Sequence, residues 1–127
     1  MNNISSPDTS DNAIEREIIA KGKTAARVTP ADVQANIVSE HYFTAADGAF
    51  ACFGKRPMAL PDDPLALLTF CVLVLRNSFT VTGESACASP ENFDADIGRK
   101  IARQNAEGKM WPLMGYALKQ QLHKGNT

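Results

Sequence analysis

The chain predicts an α+β fold, a small single domain in which a central β-hairpin is packed by three or four α-helices. Three observations carry this reading. Leu67 to Leu75 is almost continuously apolar and rich in branched side chains, whereas Phe79 to Glu84 alternates strictly between apolar and polar residues. Two helix-start signals, Thr29-Pro30 and Ser89-Pro90, stand on either side of that region. The first pattern suits a strand covered on both faces, and the second a strand covered on one.

Between the strands, Asn77-Ser78 is expected as a two-residue loop, because Asn tolerates the positive φ of a type I′ turn. Arg76 would then stand opposite Phe79, Leu75 opposite Thr80 and Val74 opposite Val81. In that register Val72, Val74, Phe79 and Val81 share a face with Gly83, and that face meets a helix. Asp63-Pro64 before Leu65-Ala66-Leu67-Leu68 also resembles a helix start. The β-branched residues Thr69, Val72, Val74, Val81 and Thr82 favour strands instead. A membrane span is excluded for this stretch, since the apolar run falls short of the ~20 residues a bilayer requires and ends on Arg76.

In chain order, residues 1 to 12 are too polar to offset the entropy of ordering them and read as a disordered tail. The globular domain is expected from 13 to 124, with 125 to 127 as a second tail. Asn12 with Glu15 suggests a capping box, and Ile14, Ile18 and Ile19 form one stripe, giving a short helix from about Ala13 to Lys21 before Gly22. Thr29, Pro30 and Asp32, with Val28 and Val33 as a hydrophobic staple, open a helix expected to run from Pro30 to about Tyr42. Its narrow stripe of Val33, Ile37 and Val38 suits packing on the hairpin. From Thr44 to Asp63 the glycines and prolines read as a long loop anchored by Phe50, Phe53 and Met58.

After the hairpin, Ser89-Pro90-Glu91 starts a helix whose Phe93, Ile97 and Ile101 recur at i, i+4 and i+8. It is expected to reach about Met110 and to break or kink at Trp111-Pro112. Leu113, Met114, Ala117, Leu118 and Leu122 then begin a second stripe.

Composition narrows the function classes. With 44% apolar residues in 127, the chain can bury one core, and a formal net charge of −1 gives no global attraction to nucleic acid or anionic membrane. Three cysteines, Cys52, Cys71 and Cys87, are an odd number without CxxC spacing and fit a reducing cytoplasm. Ser85 in Gly83-Glu84-Ser85-Ala86-Cys87 lacks the second glycine of a nucleophile elbow, and neither His41 nor His123 is tied to it. The two histidines and scattered cysteines supply no adjacent pair of metal ligands. The chain therefore reads as a non-enzyme with no cofactor and no metal.

One asymmetry remains. The C-terminal third carries Arg99, Lys100, Arg103, Lys109, Lys119 and Lys124 against few acids. Arg99 and Arg103, four apart on one helical face, form a pair suited to phosphate, and Trp111 is a candidate stacking surface. The plainer readings are a solvated basic helix face and a core wedge. Arg99, Lys100, Arg103 and Trp111 are accordingly the candidate contacts for a ligand or partner.

Specific blocks carry a resemblance: Leu68-Thr69-Phe70-Cys71-Val72-Leu73-Val74-Leu75-Arg76-Asn77-Ser78-Phe79-Thr80-Val81-Thr82-Gly83-Glu84-Ser85-Ala86-Cys87, Asn92-Phe93-Asp94, Gly98-Arg99-Lys100-Ile101-Ala102, and Trp111-Pro112-Leu113 with Gly115-Tyr116. Over roughly residues 28 to 122 the chain resembles the gene-product 49/66 family of small tailed-bacteriophage proteins. It departs from that pattern at Ser78, where members often carry Gly, and at Met114, where they often carry Glu. The resemblance implies a phage or prophage accessory protein made in the host bacterial cytoplasm, and it transfers no catalytic residue. The leading expectation is a non-enzymatic binder of a host protein in host takeover or counter-defence, including inhibition of a CRISPR complex. The alternatives are a small-molecule binder that sequesters nucleotide second messengers, and a DNA-binding protein, which the neutral charge disfavours.

Overall fold

The computed structural model describes residues 10–51 and 63–125. Its centre is the predicted hairpin, β2 (Leu68–Leu75) and β3 (Thr80–Ala86), extended by a third strand, β1 (Ile37–Thr44), into an antiparallel sheet of order β1-β2-β3. A long helix, α4 (Ala95–Gly125), lies across β3 and β2. The smaller helices α1 (Ser10–Ala20), α2 (Pro30–Ala35) and α3 (Ala45–Ala51) sit around this two-layer centre. The architecture is the expected α+β domain, a small single unit of sheet and helices.

β1 replaces the second half of a predicted helix. Thr29 caps α2 as expected, with its hydroxyl accepting from the Asp32 amide at 3.1 Å and the Asp32 carboxylate accepting from the Thr29 amide at 2.9 Å. The helix nevertheless stops at Ala35. Asn36 accepts from the Arg76 amide through both its carbonyl and its side chain, at 3.0 and 3.2 Å, and Arg76 Nε donates to the Ala35 carbonyl at 2.7 Å. Beyond that tie, Ile37, Val38, Tyr42, Phe43 and Thr44 are β-branched or aromatic, and β2 offers them an open edge to pair with. Tertiary pairing outweighs the local helical start.

The hairpin register differs by one residue from the expected one. Leu73 stands opposite Val81 and Val74 opposite Thr80, and the Leu75 amide donates to the Phe79 carbonyl at 2.9 Å. The loop is therefore Arg76-Asn77-Ser78. The Ser78 amide closes a turn onto the Leu75 carbonyl, and Ser78 itself adopts φ +74°. This is the three-residue hairpin loop whose last residue is left-handed. Because side chains alternate along a strand, the slip exchanges the faces of β2. Thr69, Cys71, Leu73 and Leu75 meet the helix, with Val81 and Gly83 from β3, whereas Val72 and Val74 are only partly covered and Phe79 is exposed. Ser78→Gly is expected to raise stability by about 0.5–1 kcal/mol, since glycine takes the left-handed conformation without strain. A lower melting temperature would count against this turn.

α4 is also read differently in three dimensions. Its cap is Asp94, whose carboxylate accepts from the amides of Asp96 and Ile97 at 2.9 and 3.1 Å, while Pro90–Asn92 forms a separate 3-10 turn. Gly98, Ala102, Ala106 and Met110 form the buried face, and the predicted Ile97 is exposed. The helix continues through Pro112 without the expected break. Asp63 and Pro64 do start a helical turn, but only the 3-10 turn Pro64–Leu67 before β2. Within the expected Thr44–Asp63 loop, α3 is held by a capping box between Thr44 and Asp47. Phe53 and Met58 lie outside the described residues. α1 begins at Ser10, so residues 10 to 12 of the expected tail are helical, while residues 1 to 9 and 126 to 127 lie outside the described residues.

The core joins these parts: Val33 of α2, Cys71, Leu73, Leu75 and Val81 of the hairpin, and Ala102, Ala106 and Met110 of α4. Val28, Ile37, Tyr42, Trp111 and Met114 pack at its margin.

Candidate functional site

The four candidate residues come together. Arg99, Lys100, Arg103 and Trp111 project from one stripe of α4 into a cleft of about 490 Å³. Its opposite wall is built by Pro30, Val33 and Gln34 of α2, Tyr42 of β1 and the first turn of α1. The strand that supplies Tyr42 is the one read as helix from the sequence, so the wall facing Arg103 was not foreseeable from α4 alone.

Arg103 is the centre of the cleft and is fully engaged with the protein. Its Nε donates to Glu107 at 2.6 Å, Nη2 donates to the Gln34 side chain at 2.9 Å, and Nη1 pairs with Glu40. The Tyr42 hydroxyl donates to the same Glu40 carboxylate at 2.8 Å. Burial by itself pulls the guanidinium pKa down, but the hydrogen bonds to Glu40, Glu107 and Tyr42 outweigh it and hold it above the usual arginine value. Glu40 is held below the usual carboxylate range by the Arg103 hydrogen bond and then by Tyr42. Burial first, and the Glu40 contact second, push the Tyr42 hydroxyl up to about 12. The buried Cys71 thiol below is likewise pushed up by burial, which keeps it in its unreactive protonated form.

Arg103 therefore ties α4 to β1 and α2. Arg103→Ala is expected to cost about 1–2 kcal/mol at neutral pH, because Glu40 and Glu107 lose their strongest donors, with part of the effect screened at the half-exposed Glu40. The sign with pH follows from Glu40. A carboxylate with a lowered folded-state pKa stabilises fully above its unfolded value, near ~4.3, and loses that contribution as pH falls through the folded value. The gap between wild type and variant should thus narrow, by the share that Glu40 contributes, as pH falls through the lowered folded-state value of Glu40. A gap that stays constant down to low pH in chemical denaturation would remove this role.

Arg99 and Lys100 stand at the other end of the cleft and share one carboxylate, Asp96, at 3.8 and 3.2 Å. These are surface pairs that contribute little to stability and leave the side chains adjustable. Trp111 is half-buried. It closes the apolar end of the cleft and also lines the space beneath α1 with Ile14, Ile18, Val28 and Pro30. The cleft is balanced in sign, since Asp11, Asp96 and Glu107 stand among its three cations.

The other candidates are dispersed. Ser85 lies inside β3 opposite Thr69, and not on a strand-to-helix turn. His41 is exposed on β1 beside the Ser39 hydroxyl, and His123 sits in the last turn of α4. Among the described residues no three His, Cys, Asp or Glu side chains are grouped to hold a metal ion, and no helix is long and apolar enough to cross a membrane.

Fold and cleft together define a small α+β domain whose concave surface mixes charge with aromatic area. The chain belongs to the phage protein (N4 Gp49/phage Sf6 gene 66) family, whose model matches residues 28–122. No curated protein and no solved structure matches the chain. The matched region spans α2, the sheet and most of α4, and leaves α1 outside.

Proposed function

We propose that this phage protein acts by binding a host protein in the cytoplasm of the infected bacterium, in host takeover or counter-defence, inhibition of a CRISPR complex included, and that it is not an enzyme. The observation behind this reading is the charge-balanced cleft. Its central cation, Arg103, is occupied by Glu40, Glu107 and Gln34, while adjustable Arg99 and Lys100 flank it and Trp111 closes it. Paired charges around an aromatic anchor suit a protein surface, where Trp and Arg contribute most and opposite charges set the register. The test is capture from infected or host cells with the tagged chain. One host protein should be retained in stoichiometric amount by wild type and lost with Trp111→Ala and with Arg99→Glu/Lys100→Glu. Retention that ignores all three substitutions would overturn the assignment to this cleft.

A second reading rests on Arg99 and Lys100, two cations sharing the single carboxylate of Asp96. That local excess suits the phosphate of a nucleotide better than extended DNA, which needs many phosphate contacts. Calorimetry with linear and cyclic nucleotides and short DNA, on wild type and on Arg99→Ala/Lys100→Ala, separates the cases. Heat that is lost in the double variant and weakened by salt would favour the nucleotide. The absence of heat with every compound would leave the host protein.

A further inference from the structure

α1 is attached to the domain through a thin contact. Ile14 and Ile18, four apart, turn toward Val28, Pro30 and Trp111 but leave a space of about 220 Å³ beneath them. No residue of the helix is buried, and Ile14 remains 55% exposed. A polar tie holds it to the domain: Glu15 receives both terminal nitrogens of Arg27, the second at 2.8 Å. The connection to α2 is exposed from Lys21 to Ala26 and turns through Gly22 at φ +69°. The family match begins at Val28, so Val28, Pro30 and Trp111 of this surface lie within the matched region, whereas Arg27 and α1 precede it.

An element with few buried contacts opens at low free-energy cost. A gap under its apolar pair forfeits the dispersion contacts that would otherwise hold it. We propose that the surface formed by Arg27, Val28, Pro30 and Trp111 is the docking site for an amphipathic helix of a partner protein, and that α1 is the intramolecular stand-in which that helix displaces. The chemistry of the occupant follows from α1 itself: two aliphatic or aromatic side chains four apart, with a carboxylate directly after the first to meet Arg27. Side chains larger than isoleucine would fill the space that Ile14 and Ile18 leave. The identity of this partner as the host protein rests on the reading above, whereas the existence of the docking surface does not.

Trp111 is the only tryptophan in the chain, so its fluorescence reports on the space beneath α1 and the adjoining cleft that it lines. In the full-length protein, Ile14→Asp/Ile18→Asp should release α1 and move the Trp111 emission to longer wavelength while the thermal transition stays cooperative. Glu15→Arg, which only reverses the pairing with Arg27, should move it in the same direction. An end-blocked peptide of residues 10–22 added to either variant should restore the original emission with saturation, at least tenfold more tightly than it binds wild type, where tethered α1 competes at high effective concentration. The same peptide carrying Ile18→Phe should bind several-fold more tightly still, and Arg27→Glu in the Ile14→Asp/Ile18→Asp chain should abolish the effect of the native peptide. Unchanged emission in both variants, or equal binding by wild type and variants, would overturn the proposal. Peptide binding without any captured host protein would remove only the host-protein reading, and capture without peptide binding would remove only this one.

Discussion

Gly83→Ala is expected to abolish cooperative folding or to lower stability by about 3 kcal/mol or more. A Cβ at position 83 would stand 2.3 Å from the Ala102 carbonyl oxygen and 2.3 Å from the Ala106 amide nitrogen. Both are backbone atoms of α4, so no side chain can rotate away, and the helix must move off the sheet. That movement would open gaps around Cys71, Leu73, Ala102 and Ala106, all of them fully buried. Overpacking in a relaxed core costs about 1–3 kcal/mol, and a clash with main chain on both contacts belongs at or above the upper end. Against a total of about 5–15 kcal/mol for a small domain, that is a large fraction. Gly108→Ala is the matched control, since its Cβ would meet nothing within 4 Å, and it should be neutral or stabilise by up to about 1 kcal/mol. Thermal melts of the two variants decide the point. Equal melting temperatures would show that α4 does not approach β3 this closely.

Leu73→Asp is expected to leave the protein insoluble or without a cooperative transition. Leu73 is fully buried on the central strand, between Glu40 on one neighbour and Val81 on the other, and faces α4. A carboxylate there would have no cation within the apolar core and would cost several kcal/mol whether it ionised or took up a proton. Val74→Asp, one residue on, points to the opposite, partly covered face and should keep its cooperative melt with a smaller loss. The comparison also tests the register directly, because the two-residue loop would reverse the order of severity. A soluble, cooperatively melting Leu73→Asp protein alongside an unfolded Val74→Asp protein would restore that loop.

Much of the fold was legible because its signals are local. The branched run of β2, the alternation of β3 and the Thr29-Pro30-Asp32 start each depend on residues within a few positions, and each is found where it was expected. The pairing of Arg99 with Arg103 on one helical face is legible as well from their spacing of four, whereas Trp111 joins that side only because α4 runs on through Pro112. Two capping boxes show the limit of local signals. The one at Thr29 is announced by the proline that follows it, whereas Thr44 with Asp47, of the same kind, opens a segment whose glycines and prolines read as loop.

What only the tertiary structure decided depends on contacts between distant segments. Ile37–Thr44 follows a helical start at Thr29-Pro30 but carries strand-forming residues, and the open edge of β2 settles the choice in favour of the strand. The face of β2 that turns inward is set by Ser78, one residue whose positive φ lengthens the loop and exchanges every side chain behind it. On α4 the larger Ile97 and Ile101 give way to Gly98, Ala102 and Ala106, because Gly83 brings β3 against the backbone at Ala102 and Ala106 while Gly98 lies against Thr69 of β2. Arg103 looked like a cation available for phosphate while its partners were unknown. Glu40 and Gln34 lie more than sixty residues away in sequence and reach it only once β1 has paired and α2 has packed. By itself the sequence determined which segments form strands and helices wherever local conformation dominates. Packing against distant partners determined the register, the buried faces and the charge left available in the cleft, since close approach and ion pairing act between side chains that the order of residues does not place together.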